Sequence, residues 1–168
     1  MADTFYCAIC GQEHEGLSRD RGFTLPDEVW ALPEAERDGQ ARFNDDLCQW
    51  GERYFIRCIL PVPLKGLDDY FGWGAWAEVE AEVFERYLEL YDEDGRDEPP
   101  VPGKLANRLE PYPGVTLGTR VLIQFQDPGE RPTLTLLETD KSRLAQDQRD
   151  GIDAARHHEI LEICGADS

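Results

Sequence analysis

Two cysteines separated by two residues, in Cys7-Ala8-Ile9-Cys10-Gly11-Gln12-Glu13-His14, constrain this chain more than any other stretch. Their thiolates can converge on one point, and the glycine after the second supplies the backbone freedom of a tight turn. The pattern reads as half of a zinc site, so the rest of the fold must bring the other ligands. His14 lies on the same loop, and Cys48, in Asp45-Asp46-Leu47-Cys48, comes far enough along for a helix or a strand pair to intervene. The expected site is a closed tetrahedral set of Cys7, Cys10, His14 and Cys48 around a structural Zn²⁺, with Asp46 in reserve for the fourth position. A redox role for the pair is disfavoured, because a redox Cys-x-x-Cys opens a helix after a strand, whereas the residues after Cys10 are polar and glycine-punctuated.

With 168 residues the chain suits one buried core better than two, so the expected organisation is a single domain, 1–168, with a zinc-binding lobe at 1–50 and an α+β core at 51–168. Hydrophobic residues make up 40% and include four Trp and seven Phe, which argues against disorder despite 31% charged residues. Seventeen basic against thirty-five acidic residues leave a net charge of −18, a field that repels nucleic acid. The N-terminal residues have no basic segment followed by an apolar one, and no apolar run approaches the roughly 20 residues of a membrane span. Five cysteines, an odd number, fit metal ligation in a reducing compartment better than a disulfide framework. A cytoplasmic location is expected.

Along the chain, Pro33-Glu34-Ala35-Glu36 marks the start of a short helix that ends before Asn44, since proline is tolerated where the N–H would be unbonded anyway. Apolar residues alternate over 53–60, which predicts a central strand, and Pro61-Val62-Pro63 is expected to end it because neither proline donates to a ladder. Tyr70-Phe71-Gly72-Trp73-Gly74-Ala75-Trp76 predicts another strand, whose rings fill the core or whose glycines let a ligand approach the backbone. Residues 78–94 read as the clearest helix. Val79, Val83, Phe84, Tyr87, Leu88 and Tyr91 recur at helical spacing, with Glu82, Glu85, Glu89 and Asp92 outside that stripe. Between 78 and 98 stand ten acidic and two basic residues, a net of −8 and almost half of the excess charge. Residues 99–103 read as a stiff proline loop, 119–126 and 132–138 as two strands joined by a turn at Asp127-Pro128-Gly129-Glu130, and 142–164 as helix bent or divided at Gly151.

Taken together, Cys7-x-x-Cys10-Gly11-x-x-His14, Asp46-Leu47-Cys48, Phe55-Ile56-Arg57, Phe71-Gly72-Trp73-Gly74-Ala75-Trp76, Gly103-x-Leu105-x-Asn107, Arg131-Pro132 and Gln148-Arg149-x-Gly151-Ile152 resemble the bacterial family of unknown function numbered 2199. The resemblance covers nearly the whole chain. It implies a shared fold and site without implying a reaction. Compared with the family, Cys58 stands where glycine is usual, and Lys141-Ser142-Arg143-Leu144 replaces an Asp-His-Pro-Leu run, so the family's C-terminal histidine is absent there.

For nucleophilic catalysis the candidates are Cys58 with His157 or His158. A mid-strand cysteine is more often a small buried hydrophobe, and adjacent helical residues point about 100° apart, so at most one histidine is expected to face a pocket. Arg57 and Arg131 are each expected to meet a carboxylate in a structural ion pair. The expected fold is α+β, an antiparallel sheet packed by two helices with an N-terminal zinc-stapled, zinc-ribbon-like lobe. The expected function is a small acidic zinc-containing protein-binding module with a basic protein partner, for instance an immunity or antitoxin-like protein that occludes a basic toxin. The alternative is an enzyme with a small-molecule pocket near Trp73 and Trp76.

Overall fold

In the computed structural model, residues 5–6, 13–14, 20–67, 69–112, 116–128 and 130–164 are described. Two long stretches, 53–63 and 70–79, run antiparallel and organise the rest, and each breaks at the same level. The first divides at Cys58 into β6 (Arg53–Arg57) and β7 (Leu60–Pro63), the second at Ala75 into β8 (Tyr70–Gly74) and β9 (Trp76–Val79). Cys58 N donates to the Ala75 carbonyl at 2.8 Å, so the breaks face each other. On one side, β6 pairs with β9; on the other, β7 pairs with β8. The two stretches therefore serve two sheets.

The larger sheet has the order β12-β11-β10-β9-β6-β5-β4, with β4 at Ala41–Phe43, β5 at Leu47–Trp50, β10 at Val101–Leu105, β11 at Arg120–Gln124 and β12 at Thr133–Leu136. The smaller has the order β3-β8-β7, where β3 (Asp20–Gly22) runs parallel to β8. A short antiparallel pair, β1 (Phe5–Tyr6) with β2 (Glu13–His14), stands apart from both sheets. Edge strand β12 returns toward the bent pair through Ile59, whose N–H donates to the Pro132 carbonyl and whose carbonyl accepts from Leu134 N, both at 2.8 Å. Between the sheets lie Ile56, Leu60, Val62, Phe71, Trp73, Leu105, Ile123 and Leu134, each at most 1% exposed. Side chains of this size contribute about 1.5–3 kcal/mol each when fully buried, so this cluster carries the fold.

Pro61 and Pro63 do not end the strand as expected. They sit in β7, an edge of the small sheet, where a missing N–H costs no ladder bond. Their carbonyls are satisfied from the C-terminal segment: Gln148 Nε2 donates to Pro61 O at 3.2 Å and Ile152 N to Pro63 O at 2.8 Å. Gln148 also bonds Leu134 O and Leu136 N of β12, so one amide ties two strand edges together. Its helix, α4 (Arg143–Asp150), starts at Ser142, whose hydroxyl accepts from Ala145 N. Gly151, at φ 84°, divides α4 from α5 (Ala154–Cys164), the division its sequence suggested.

Other elements depart from expectation. The acidic helix, α3, spans Ala81–Glu89 rather than 78–94, because Glu78 and Val79 are paired in β9 with Phe55 and Tyr54. Phe84 and Tyr87 face inward, while Leu88 and Tyr91 are 46% and 41% exposed instead of joining the buried stripe. The proline loop is in part strand β10, and Pro102 lies beyond the stretch that pairs with β9. Helices α1 (Asp27–Trp30) and α2 (Glu34–Gln40) precede β4, and a second apolar cluster gathers Leu25, Val29, Ala41, Cys48, Phe55, Trp76 and Ala106.

The zinc-stapled lobe is overturned. Residues 41–50, placed by sequence in that lobe, are strands β4 and β5 of the large sheet, and β5 pairs directly with β6. Among the described residues no group of three or more His, Cys, Asp or Glu is placed to hold a metal ion. The fold is α+β, with largely antiparallel sheets packed by helices and no zinc-stapled lobe among the described residues.

Candidate functional site

The tight corner at Asn44 begins the site. Its Oδ1 accepts from Asp46 N and Leu47 N, both at 2.8 Å, a side-chain turn that throws Asp45 and Asp46 outward before β5 starts. Asp46 then meets two partners from distant parts of the chain. Tyr91 Oη, just past the end of α3, donates to Oδ2 at 2.8 Å, and Arg131 Nε donates to Oδ1 at 3.2 Å. The expected ion pair of Arg131 is therefore present.

Around this junction is a cavity of about 120 Å³. Tyr87, Tyr91 and Phe125 form its aromatic wall, the Tyr87 and Tyr91 rings meeting edge-on at 5.8 Å and Tyr87 and Phe125 tilted at 5.4 Å. Glu93, Asp127 and Glu130 add carboxylates to that of Asp46. Gly95 lets the loop after α3 close down, since a Cβ there would lie 2.6 Å from Phe125 Cβ. Tyr87 is 9% exposed, and burial pushes its phenol well above the ordinary tyrosine range, with the nearby Cys58 and Asp46 adding to the effect. Its neutral hydroxyl makes no hydrogen bond among the described residues.

Arg57 corrects its expectation. No carboxylate forms an ion pair with it among the described residues; Nη1 reaches the Asp45 backbone carbonyl at 3.4 Å, and Nε is buried without a partner. Burial, then the neighbouring Arg131, lowers its hold on the proton.

The expected zinc ligands are only partly described. Cys7 and Cys10 lie outside the described residues, and His14 is described only through its backbone pairing with Phe5. Cys48 is 1% exposed in the second apolar cluster, and burial pushes its thiol up to about 11. A metal needs the thiolate, which this apolar setting opposes. Asp46, the reserve ligand, is occupied by Arg131 and Tyr91. The Zn²⁺ assignment fails with the absence of any metal-holding group among the described residues.

The catalytic candidates are no better placed. Cys58 is fully buried, its sulfur set toward the Ile56 carbonyl at 3.4 Å, and burial drives its thiol far above the ordinary range. His157 and His158 are both buried in α5. His157 packs against the Phe71 ring at 5.3 Å. Trp73 and Trp76 are fully buried in separate apolar clusters, and Trp76 Nε1 donates to Phe23 O at 3.0 Å, so they are core and line none of the cavities described here. This overturns the enzyme pocket near them.

Among the described residues, two further depressions bear on the reading. One of about 440 Å³ lies over β9 to β11, with Val79, Leu122 and Leu137 on its walls and Glu78 drawn to Arg53 at 2.7 Å. The other, of about 230 Å³, surrounds the buried Asp147, which is already bound by Arg143 and Arg156. Sequence reading missed the Asp46 cavity because Asp46 and Arg131 are 85 positions apart; the one available signal was Arg131 itself, a cation placed between an acidic turn and a strand.

No helix among the described residues is long and apolar enough to cross a membrane. No curated protein and no solved structure matches the chain. Residues 6–152 match the family described as "Uncharacterized protein conserved in bacteria (DUF2199)", and the chain belongs to that family.

Proposed function

We propose that the chain is a small single-domain acidic module of the cytoplasm that binds a basic protein through the outer face of α3 and the loop that follows it. The observation that carries this reading is the composition of that face. Glu82, Glu85, Asp92, Glu93 and Asp97 are exposed and take part in no ion pair among the described residues. The two cations nearby are spent locally, Arg86 on Glu89 and Glu98, Arg96 on Asp94 and Asp127. Leu88 and Tyr91 stand uncovered among these carboxylates, so the face offers apolar anchors inside a negative field. A face that mixes carboxylates with exposed apolar side chains suits a partner that is both basic and partly apolar.

Affinity capture with wild-type protein and with the E82Q/E85Q/E89Q/D92N variant, followed by stopped-flow association with the captured partner, tests the reading. The wild-type on-rate should fall steeply as the Debye length shrinks from about 10 Å at 0.1 M salt to about 3 Å at 1 M. The variant should associate at least about tenfold more slowly at low salt. Equal rates for both proteins would refute the acidic face as the docking surface.

A further inference from the structure

We propose that the cavity beside Asp46 is a receptor for one arginine side chain projecting from the partner; the inference rests on the protein-binding reading and names the contact at its centre. Four features of the cavity converge on a cation. First, Glu93 and Glu130 line it without an ion pair among the described residues, while Asp46 and Asp127 are held by Arg131 and Arg96. Two uncommitted carboxylates therefore remain beside two that are matched.

Second, the wall is aromatic. Tyr87, Tyr91 and Phe125 present ring surface on which a planar guanidinium stacks and its methylene stem packs. Third, the Tyr87 hydroxyl belongs to a side chain that is nine-tenths buried, yet it has no hydrogen-bond partner among the described residues. Tyr87 lines the cavity together with Asp46 and Arg131, so its side chain offers a polar group as well as a ring. Fourth, Leu90 closes α3 at the cavity, and the carbonyl end of a helix favours positive charge.

Size selects between ligands. About 120 Å³ is below the roughly 300–1,000 Å³ of small-molecule sites and suits the end of a side chain. Charge excludes a phosphate or carboxylate group. The cavity also adjoins Tyr91, one of the uncovered side chains of the proposed docking face, so a residue inserted here continues that interface.

The test is an NMR titration of the isotope-labelled protein at low salt with acetyl-Gly-Arg-Gly-amide, and with the matched peptide carrying neutral citrulline. Saturable shifts are expected at residues 87–95 and 125–128 with arginine and not with citrulline. Glu93→Gln with Glu130→Gln should weaken the arginine peptide about tenfold, and Tyr87→Phe should weaken it by a smaller factor. Glu93 and Glu130 are exposed, so an unchanged melting temperature in the double variant separates lost binding from lost fold. Equal shifts from the citrulline peptide, an unchanged affinity in the double variant, or shifts spread evenly over the acidic face would each overturn the receptor. If that happens while the α3 variant still slows association of the partner, the docking face stands and only the arginine receptor falls.

Discussion

Replacing Asn107 with alanine tests how the segment before α1 is held to the sheets. Asn107 is fully buried just after β10, and its amide makes three bonds: Oδ1 accepts from Trp76 N at 2.7 Å, and Nδ2 donates to Leu25 O at 3.0 Å and to Asp27 Oδ1 at 2.9 Å. Trp76 opens β9 immediately after the break at Ala75, so this side chain satisfies the strand where the ladder is interrupted. Alanine removes all three bonds without letting water in. Asp27 keeps Arg108 N at 2.7 Å, but the Trp76 N–H and the Leu25 carbonyl lose the partner supplied here. At about 1–3 kcal/mol for each buried group left unsatisfied, the loss is about 3–4 kcal/mol. For a chain of this size each kcal/mol moves the melting midpoint by about 2–4 °C, so a drop of about 6–16 °C is expected. Urea denaturation should show a lower midpoint with an unchanged slope, since the exposed surface stays the same. A loss under about 1 kcal/mol would mean that the segment 25–27 relaxes onto other partners and that Asn107 does not hold it.

Gly151→Ala should cost about 2 kcal/mol or more, because φ 84° is unfavourable for a side chain and the new Cβ would lie 3.0 Å from the Pro63 carbonyl; a calorimetric midpoint equal to wild type would contradict this. Cys48 provides a pH test. Its native thiol is pushed up to about 11 by burial, while an unfolded thiol titrates near about 8.5, so its contribution to stability is whole below about pH 8.5 and is lost as the pH rises toward 11. Between pH 7.5 and 10, wild type should therefore lose more stability in urea melts than Cys48→Ala, and equal losses would show that the thiol is not desolvated.

Local chemistry was legible where a residue acts through its neighbours in sequence. Gly151 separates two helices, and Glu130 N closes the turn onto Asp127 O at 3.0 Å. Alternation also predicted the strands near 120–124 and 133–136, since a half-buried strand writes its two faces into every second residue. Alternation misled at 53–60, and helical spacing at 78–79. Periodicity shows that a segment is apolar on one side, but the partner decides where the segment bends, and Cys58 opposite Ala75 divides both long stretches at once.

Proline was misread for the same reason. In isolation Pro61, Pro63 and Pro102 each argue against a strand, yet Pro61 and Pro63 lie on an edge strand and Pro102 lies beyond the residues of β10 that pair with β9, so each missing N–H is harmless, and that placement is a property of the sheet. Cys48 shows the limit for chemistry. Spacing offered it as a metal ligand, but the apolar cluster assembled from Leu25, Val29, Phe55 and Trp76 holds it as a protonated thiol. The sequence by itself determined the density of negative charge, the turn at 127–130, the helix break at Gly151 and the apolar rhythm of several elements, because these depend on residues a few positions apart. Tertiary structure alone decided that Asp46, Tyr87, Glu93 and Arg131 share one cavity, because a site's field and solvation come from side chains that only the folded chain brings within a few ångströms.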